Sequence, residues 1–570
     1  MIATADFETT TLENDCRVWA YAICEIGNYD NFICGNSIDD FFEFCMDKYE
    51  NHILYFHNLK FDGEFIFYWL FRNGYEHVED RKQLESKTFT TLISDKGQFY
   101  SIEICFTKKG KKTNKLTIYD SLKILNFSVQ KIGKDFNLPV LKIDKEQEFY
   151  TKFREVGHIL TEEEKQYIQN DVEVVARALK ELFDREMNKM TIGADALNNY
   201  KVMTGKATFE KMFPILDNET DKNIRASYRG GFTFLNEKYK NKAVANGIVL
   251  DVNSLYPWVM YECPLPFGEP IYFEGKYKQD KIYNLYIQHF KCQFELKKGY
   301  IPTLQLKHNL AFIPTEYVKD SGTEEVILTL TSVDLELFLE HYNVYNVEWI
   351  SGYKFKSSTE MFKSYVDFWI NEKINAKKEH NGAMYTLAKL MLNSLYGKFA
   401  LSPVVRGKFP LYDEKEDFIH YKYSQEESRK PIYIPVGTFI TSWARNKTIR
   451  SAQKNYDRFI YADTDSLHLE GLEIPEELQI DDYILGAWKH ELTFSKAKYL
   501  RAKSYMEYGK EPNTDDEEKW KITVAGMPTN CYQYVDFENF KVGAVYKGKL
   551  QHHRVSGGVI LKETEFTIKM

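Results

Sequence analysis

Asp6 and Glu8, in the opening stretch ATADFET, stand two residues apart on a segment of strand character, so both carboxylates project from one face. Two like charges so placed are costly unless a cation sits between them. A D-x-E at a strand end is also ordinary turn chemistry, and the later residues lift it above that reading. Asn58 and Asp62 in HNLKFDG supply a third carboxylate after another strand, and Tyr167-x-x-x-Asp171 sets a phenol and a fourth carboxylate one helical turn apart. Four acids suit two divalent cations. Such a pair activates a water and stabilises the leaving oxygen of a phosphodiester, with Tyr167 orienting that water.

A second carboxylate set follows. Asp251 ends the apolar strand GIVLDV, and Asp463 and Asp465 flank a threonine in YADTDS, a turn held between the apolar strands FIY and LHL. That hairpin aims two acids at one point and invites a partner acid such as Asp251. Between these motifs, KLMLNSLYG places Lys389, Asn393 and Tyr396 on one helical face, with Leu390 and Leu395 free to face a core. A lysine, an amide and a phenol together can bind a triphosphate and stack on its base; a solvated polar face has the same pattern. The glycines of YRGGF (228 to 232) let backbone approach a phosphate strand or form a plain turn.

These groups must be carried by a large chain. At 570 residues and roughly 150 residues per domain, three or four domains are expected. The first ~190 residues alternate short strands with helices, which predicts α/β structure, closed by a helix from Thr161 to about Met187 whose T-E-E-E start is a capping box. A second section, of α+β character, holds the strand GIVLDV and a long tyrosine-rich stretch to about 360. It continues through a helix ending MYTLAKLMLNSLYGKF (384 to 399), the helix GTFITSWARNKTIRSAQKNY and the hairpin RFIYADTDSLHLEG. Between the last two helices, RGKFPLY and FIHYKY alternate around the polar turn DEKED and predict a β-hairpin arm. The last ~40 residues, with VSGGVIL, suggest a small β-rich lobe.

Composition narrows the class. Hydrophobic residues at 44% and charged residues at 28% are ordinary for folded soluble proteins, which argues against a disordered or fibrous chain. No apolar run approaches the ~18 residues of a membrane span, and the N-terminus lacks the basic start and apolar stretch of a signal peptide. Eight scattered cysteines without a C-x-x-C pair are expected to stay as thiols. The net charge of −8 has the wrong sign for the simplest nucleic-acid binder, so any such role rests on local clusters: 108 to 115, Lys373 to Lys378, and Lys541, Lys547, Lys549 and Arg554.

Over almost its full length the chain resembles the protein-primed family B DNA polymerases of the phi29 type. DFET, HNLKFDG and YIQND are similar to the three exonuclease motifs, which implies Asp6, Glu8, Asp62 and Asp171 as metal carboxylates. His57, Asn58, Phe61 and Tyr167 would meet a single-stranded end, and Lys142 and Asp144 in VLKID a further catalytic segment. DVNSLYP, KLMLNSLYG and YADTDS resemble the polymerase motifs. They imply Asp251, Val252 and Asp465 in the metal set, Asp463 as catalytic, Tyr256 and Tyr396 in the nucleotide pocket with Asn393, and Lys389 on the triphosphate with a second lysine, Lys377 in preference to Lys373. Tyr228 and Arg229 in YRGG, Thr441 and Arg445 in TSWAR, and Lys503 and Tyr505 in K-S-Y would contact primer and template.

The implied architecture is a ribonuclease H-like 3′-5′ exonuclease domain (1–190) followed by a right-hand polymerase. Its parts are palm (191–262 and 433–529), fingers (361–400) and thumb (530–570), with two insertions at 263–360 and 401–432. The implied activity is template-directed DNA synthesis with proofreading and strand displacement, started from a hydroxyl on a terminal protein, using two Mg2+ or Mn2+ ions per site. The implied setting is a monomer in the cytoplasm of a phage-infected bacterium, acting on template, primer and deoxynucleoside triphosphates.

Overall fold

The computed structural model describes residues 1–46, 50–110, 112–144, 147–306, 313 and 316–569. The first region is built on a mixed sheet. From its far edge the strands run Asn28–Gly35, Val18–Glu25, Ile2–Thr9, His52–Phe56, Lys112–Asp120, Phe99–Lys109 and Thr88–Ser94. Ile2–Thr9 and His52–Phe56 pair in parallel, as do His52–Phe56 and Lys112–Asp120, so the apolar central strands need cover on both faces. Leu59–Arg72 and Glu162–Phe183 are helices that contact this sheet. The second begins at the expected capping box: Thr161 Oγ1 accepts from Glu164 N at 3.2 Å, and Glu164 Oε2 accepts from Thr161 N at 3.1 Å.

The second region centres on an antiparallel sheet, in the order Lys519–Val524, Ser504–Lys510, Trp488–Arg501, Gly247–Val252, Ser466–Glu470, Phe459–Asp463, Thr233–Leu235. The stretches 263–360 and 361–400 add further elements. Residues 263–360 hold a four-stranded sheet ordered Leu265–Glu274, Tyr342–Ser358, Leu285–Leu296, Val326–Thr331. Two helices, Lys363–Lys378 and Gly382–Ser394, pack on each other and meet at a turn capped by Asn381, whose Oδ1 accepts from Met384 N at 3.0 Å. The continuous helix expected over 384–399 is interrupted at Leu395: the residue keeps helical dihedrals (φ −67°, ψ −47°), but a short second helix, Tyr396–Phe399, follows. The break falls where Tyr396 turns to stack on Tyr256.

The arm at 401–432 forms the expected hairpin, Gly407–Asp413 against Phe418–Tyr423. Its Gly407 and Lys408 also pair with Ser94 and Ile93, so the arm extends the sheet of the first region. The C-terminal lobe ends in the hairpin Val545–Val555/Gly558–Thr567, and its tip lies on the same region. A Cβ on Gly558 would strike the Phe65 ring, which is why backbone can come this close. Three elements therefore converge on one helix face. Arg554 Nε binds Glu64 Oε1 at 2.9 Å and its guanidinium lies 4.6 Å from the Tyr421 ring. Asp417 accepts hydrogen bonds from Tyr68, Tyr412 and Ser556. All eight cysteines are free, as their spacing predicts.

Candidate active sites

In the first region, strand pleat places Asp6 and Glu8 on one face, and the Glu162–Phe183 helix brings Asp171 to them. One ligand oxygen from each of the three lies within 4.8 Å of the others. Burial, then the charge of Asp171, raises the Asp6 carboxyl to about 7; burial, then Asp6, raises Glu8 to about 8. Asp62, in the first turn of the Leu59–Arg72 helix, is pushed well above the carboxylate range by burial and Asp6, and its Oδ1 has no hydrogen-bond partner, nor has Asp171 Oδ1. Acids held this unfavourably, with orphaned oxygens, fit a divalent-cation set. Lys142 Nζ pairs with Asp171, and Tyr167 OH shares a 2.8 Å hydrogen bond with Tyr150 OH. Tyr150 was not singled out from sequence; its segment carries no motif.

Asp144 is exposed, takes a 2.9 Å hydrogen bond from Gln130 Nε2, and does not join the three-carboxylate group. Asn58 sits at φ 76° before the helix, its backbone N–H donating to Asp120 Oδ1 at 3.1 Å. His57 is held at both nitrogens, by Ser121 Oγ (3.0 Å) and the Phe127 carbonyl (2.7 Å), while Phe61 lies against Phe65 and His552 of the C-terminal hairpin.

The second set assembles across neighbouring strands of the antiparallel sheet. Asp251 pairs with Ser466 in register, and Val252 N donates to the Asp465 carbonyl at 2.8 Å. The D-T-D segment is a two-residue turn, Asp463 pairing with Ser466, with Thr464 at φ 61°. That conformation is costly for a β-branched residue and is held from three sides. Thr464 N donates to Phe232 O at 2.6 Å, Thr448 Oγ1 donates to Thr464 O at 2.7 Å, and the Thr464 side chain fills the space where Gly231 lacks a Cβ. Close packing on the turn is thus what the second YRGG glycine provides. Burial, then Asp465, raises Asp251 to about 8, and Asp465 is raised by burial as well.

A cavity of about 420 Å³ opens over these acids, lined among others by Asp251, Asp465, Tyr256, Tyr396, Lys503 and Tyr505. Glu491 and Lys521 also line it, an acid and a base with no sequence motif to announce them. The matching family model, DNA polymerase type B, organellar and viral, covers residues 45–483. The chain belongs to the type B DNA polymerases. This polymerase is 49% identical to the DNA polymerase of Bacillus phage M2, across 99% of both chains, and 48% identical to that of Bacillus phage phi29, across 99% of this chain and 98% of the relative. It is 34% identical to that of Streptococcus phage Cp-1 across 99% and 98%. The solved structure of phi29 DNA polymerase with primer-template DNA and incoming nucleotide matches with a TM-score of 0.94 at 47% identity, covering 100% of both chains.

The polymerase's remaining candidates fall in three groups. Tyr256 and Tyr396 stack at 3.8 Å, beside Tyr228, and Val252 is buried so that only its backbone can serve the site. Lys389 and Asn393 are exposed on one helix face as expected, and Lys377 lies 4.4 Å over the Tyr483 ring. Lys503 Nζ binds both Asp463 oxygens at 2.8 and 2.9 Å. Thr441 and Arg445, expected to contact primer and template, are instead 1% and 3% exposed. Arg445 spends its guanidinium on Asp334 and on the carbonyls of Arg229 and Gly230, both at 2.7 Å, so it braces the YRGG loop from below. Arg229 Nη1 likewise donates to the carbonyls of Ser227 and Thr329.

Proposed function

We propose that this type B DNA polymerase is template-directed, carries a proofreading 3′-5′ exonuclease in its first region, and starts synthesis from a hydroxyl on a terminal protein. The observation that carries the two-activity reading is the pair of acid sets in separate regions, Asp6/Glu8/Asp62/Asp171 and Asp251/Asp463/Asp465, each with raised carboxyls. Two Mg2+ or Mn2+ ions at each set would supply nucleophile activation and leaving-group neutralisation. In the polymerase set Asp251 and Asp465 are the ligands, with the Val252 carbonyl. Lys503 orients Asp463 and meets the primer, and Tyr256 and Tyr396 form the stacked floor of the nucleotide pocket. Lys389 and Lys377 hold the triphosphate. In the exonuclease set Lys142 holds Asp171, Tyr167 orients the attacking water, and Asn58 and Phe61 line the path of the single-stranded end.

The arm and the C-terminal hairpin, joined on the Leu59–Arg72 helix, would form a collar that retains the product duplex and parts downstream strands. Phi29 DNA polymerase has been solved with primer-template DNA, with and without incoming nucleotide, and with single-stranded DNA, which supports template, primer and nucleotide as partners here. Among the described residues no helix is long and apolar enough to cross a membrane. The proposed setting is the infected bacterial cell, with the protein acting as a monomer. Primer extension decides the reading: growth with deoxynucleotides and shortening without them supports it, and absence of template-dependent growth overturns it. Replication of a DNA end with and without its terminal protein tests the priming step.

A further inference from the structure

Two strained turns face each other across the polymerase cavity. Thr464, between the acids, has φ 61°, and Lys503, in the two-residue turn where Arg501 pairs with Ser504, has φ 56°. Neither is glycine, so surrounding structure must impose both conformations. The Tyr461 hydroxyl joins them: it accepts the Lys503 backbone N–H at 2.9 Å and donates to Asp463 Oδ2 at 3.2 Å.

Behind Tyr461 lies a polar group that the proposed chemistry does not use. His468, 1% exposed, directs Nδ1 at Glu507 Oε1 at 2.7 Å, and Tyr499 OH donates to the same oxygen at 2.6 Å. Glu507 is wholly buried. Burial alone would push its carboxyl up, but the His468 charge and the two hydrogen bonds outweigh it and hold the carboxyl below its ordinary value. The His468 ring stands edge-on to Tyr461 and to Tyr505, each with centroids at 5.1 Å, and Tyr505 stacks on Tyr499 at 5.5 Å. A buried polar pair of this kind is a poor source of stability compared with apolar packing, and its best use is to fix one arrangement.

We propose that Glu507, acting through His468 and Tyr499, is a positioning residue for the primer terminus: it locks the Tyr461–Tyr505 aromatic layer so that the Lys503 turn is presented to Asp463. The inference rests on the polymerase reading of this site and assigns Glu507 no contact with substrate. Losing the lock displaces the primer-side group while leaving the Tyr256–Tyr396 nucleotide floor in place.

The test is single-nucleotide addition by the full chain. For Glu507→Gln, kcat is expected to fall on the order of tenfold, the scale of a small misplacement of a positioning group, with KM for the nucleotide within about twofold of wild type. Single-strand degradation should be unchanged and the variant should still melt cooperatively well above the assay temperature, which separates positioning from unfolding. Combined with Lys503→Ala, Glu507→Gln should add no further loss, since both act through one turn. Should Glu507→Gln not fold, Tyr499→Phe, which keeps the His468–Glu507 hydrogen bond, is read in the same assay with a smaller fall in kcat. A folded variant with wild-type kcat, a change confined to KM, or additive losses in the double variant overturns the proposal. A wild-type chain without template-directed addition overturns instead the reading on which it rests.

Discussion

Arg554 and Glu64, 490 residues apart in the chain, meet at 2.9 Å with the glutamate fully buried. The contact ties the C-terminal hairpin to the helix that carries Asp62, and the arm's Tyr421 ring lies over the same guanidinium. Because Glu64 and Tyr68 are one helical turn apart, both land on one face, where residues two apart on the hairpin, Arg554 and Ser556, can reach them.

Cutting this junction should open the collar without touching either acid set. Arg554→Ala strands the Glu64 carboxylate and is expected to destabilise the junction by about 2 kcal/mol, less than the roughly 3–5 kcal/mol of a fully buried pair because Arg554 is partly solvated. Arg554→Ala, Asp417→Asn, or deletion of about 405–428 should keep single-nucleotide addition. Products made in a single binding event, measured with a competitor DNA trap, should shorten sharply, as should copying through a downstream duplex. Long products from the deletion variant would show the arm to be dispensable.

The two acid sets should fail separately. Asp6→Ala with Asp62→Ala is expected to abolish degradation of a single-stranded oligonucleotide while extension continues, and Asp251→Ala or Asp465→Ala the reverse. Loss of both activities from either variant would show that the regions do not work independently.

Tyr256 stacks on Tyr396 at 3.8 Å over the Asp251 site, so it forms a hard floor where a nucleotide sugar would sit. Replacing it by valine should raise ribonucleotide relative to deoxynucleotide incorporation, read as the ratio of kcat/KM values. An unchanged ratio removes Tyr256 from sugar selection.

Metal-free stability should depend on pH with a definite sign. Asp6, Glu8 and Asp251 have ordinary values of 3.8, 4.5 and 3.8 and are raised in the folded protein to about 7, 8 and 8. Between those limits the native state binds more protons than the unfolded chain, so stability is fully present at the acid end and falls as pH rises from about 4 to 8. The melting temperature with a chelator present should therefore drop across this window. Asp6→Asn with Glu8→Gln should flatten the slope. Added Mg2+, which binds the ionised carboxylates, should raise the melting temperature more at pH 8 than at pH 5. A flat chelated profile would contradict the raised carboxyls.

How far the sequence carries can be judged from these residues. Strand alternation put Asp6 and Glu8 on one face, a capping box placed the start of the Asp171 helix, and two apolar strands around Asp-Thr-Asp specified the turn; each is a local relation, encoded within a few residues. The free thiols and the hairpin at 407–423 were legible for the same reason.

What lay outside the sequence were the relations set by far-off partners that no motif announces. Arg445 has the composition of a phosphate ligand, yet Asp334, 111 residues away, takes its charge and turns it into a brace. The arm's strands were predictable, but their pairing with Ile93 and Ser94 was not, because a sheet edge accepts any strand that tertiary packing delivers to it. Glu491, Tyr150 and the His468–Glu507 pair carry no local pattern at all. Long-range neighbours, which exist only once the chain has folded, decide their contacts and their reach.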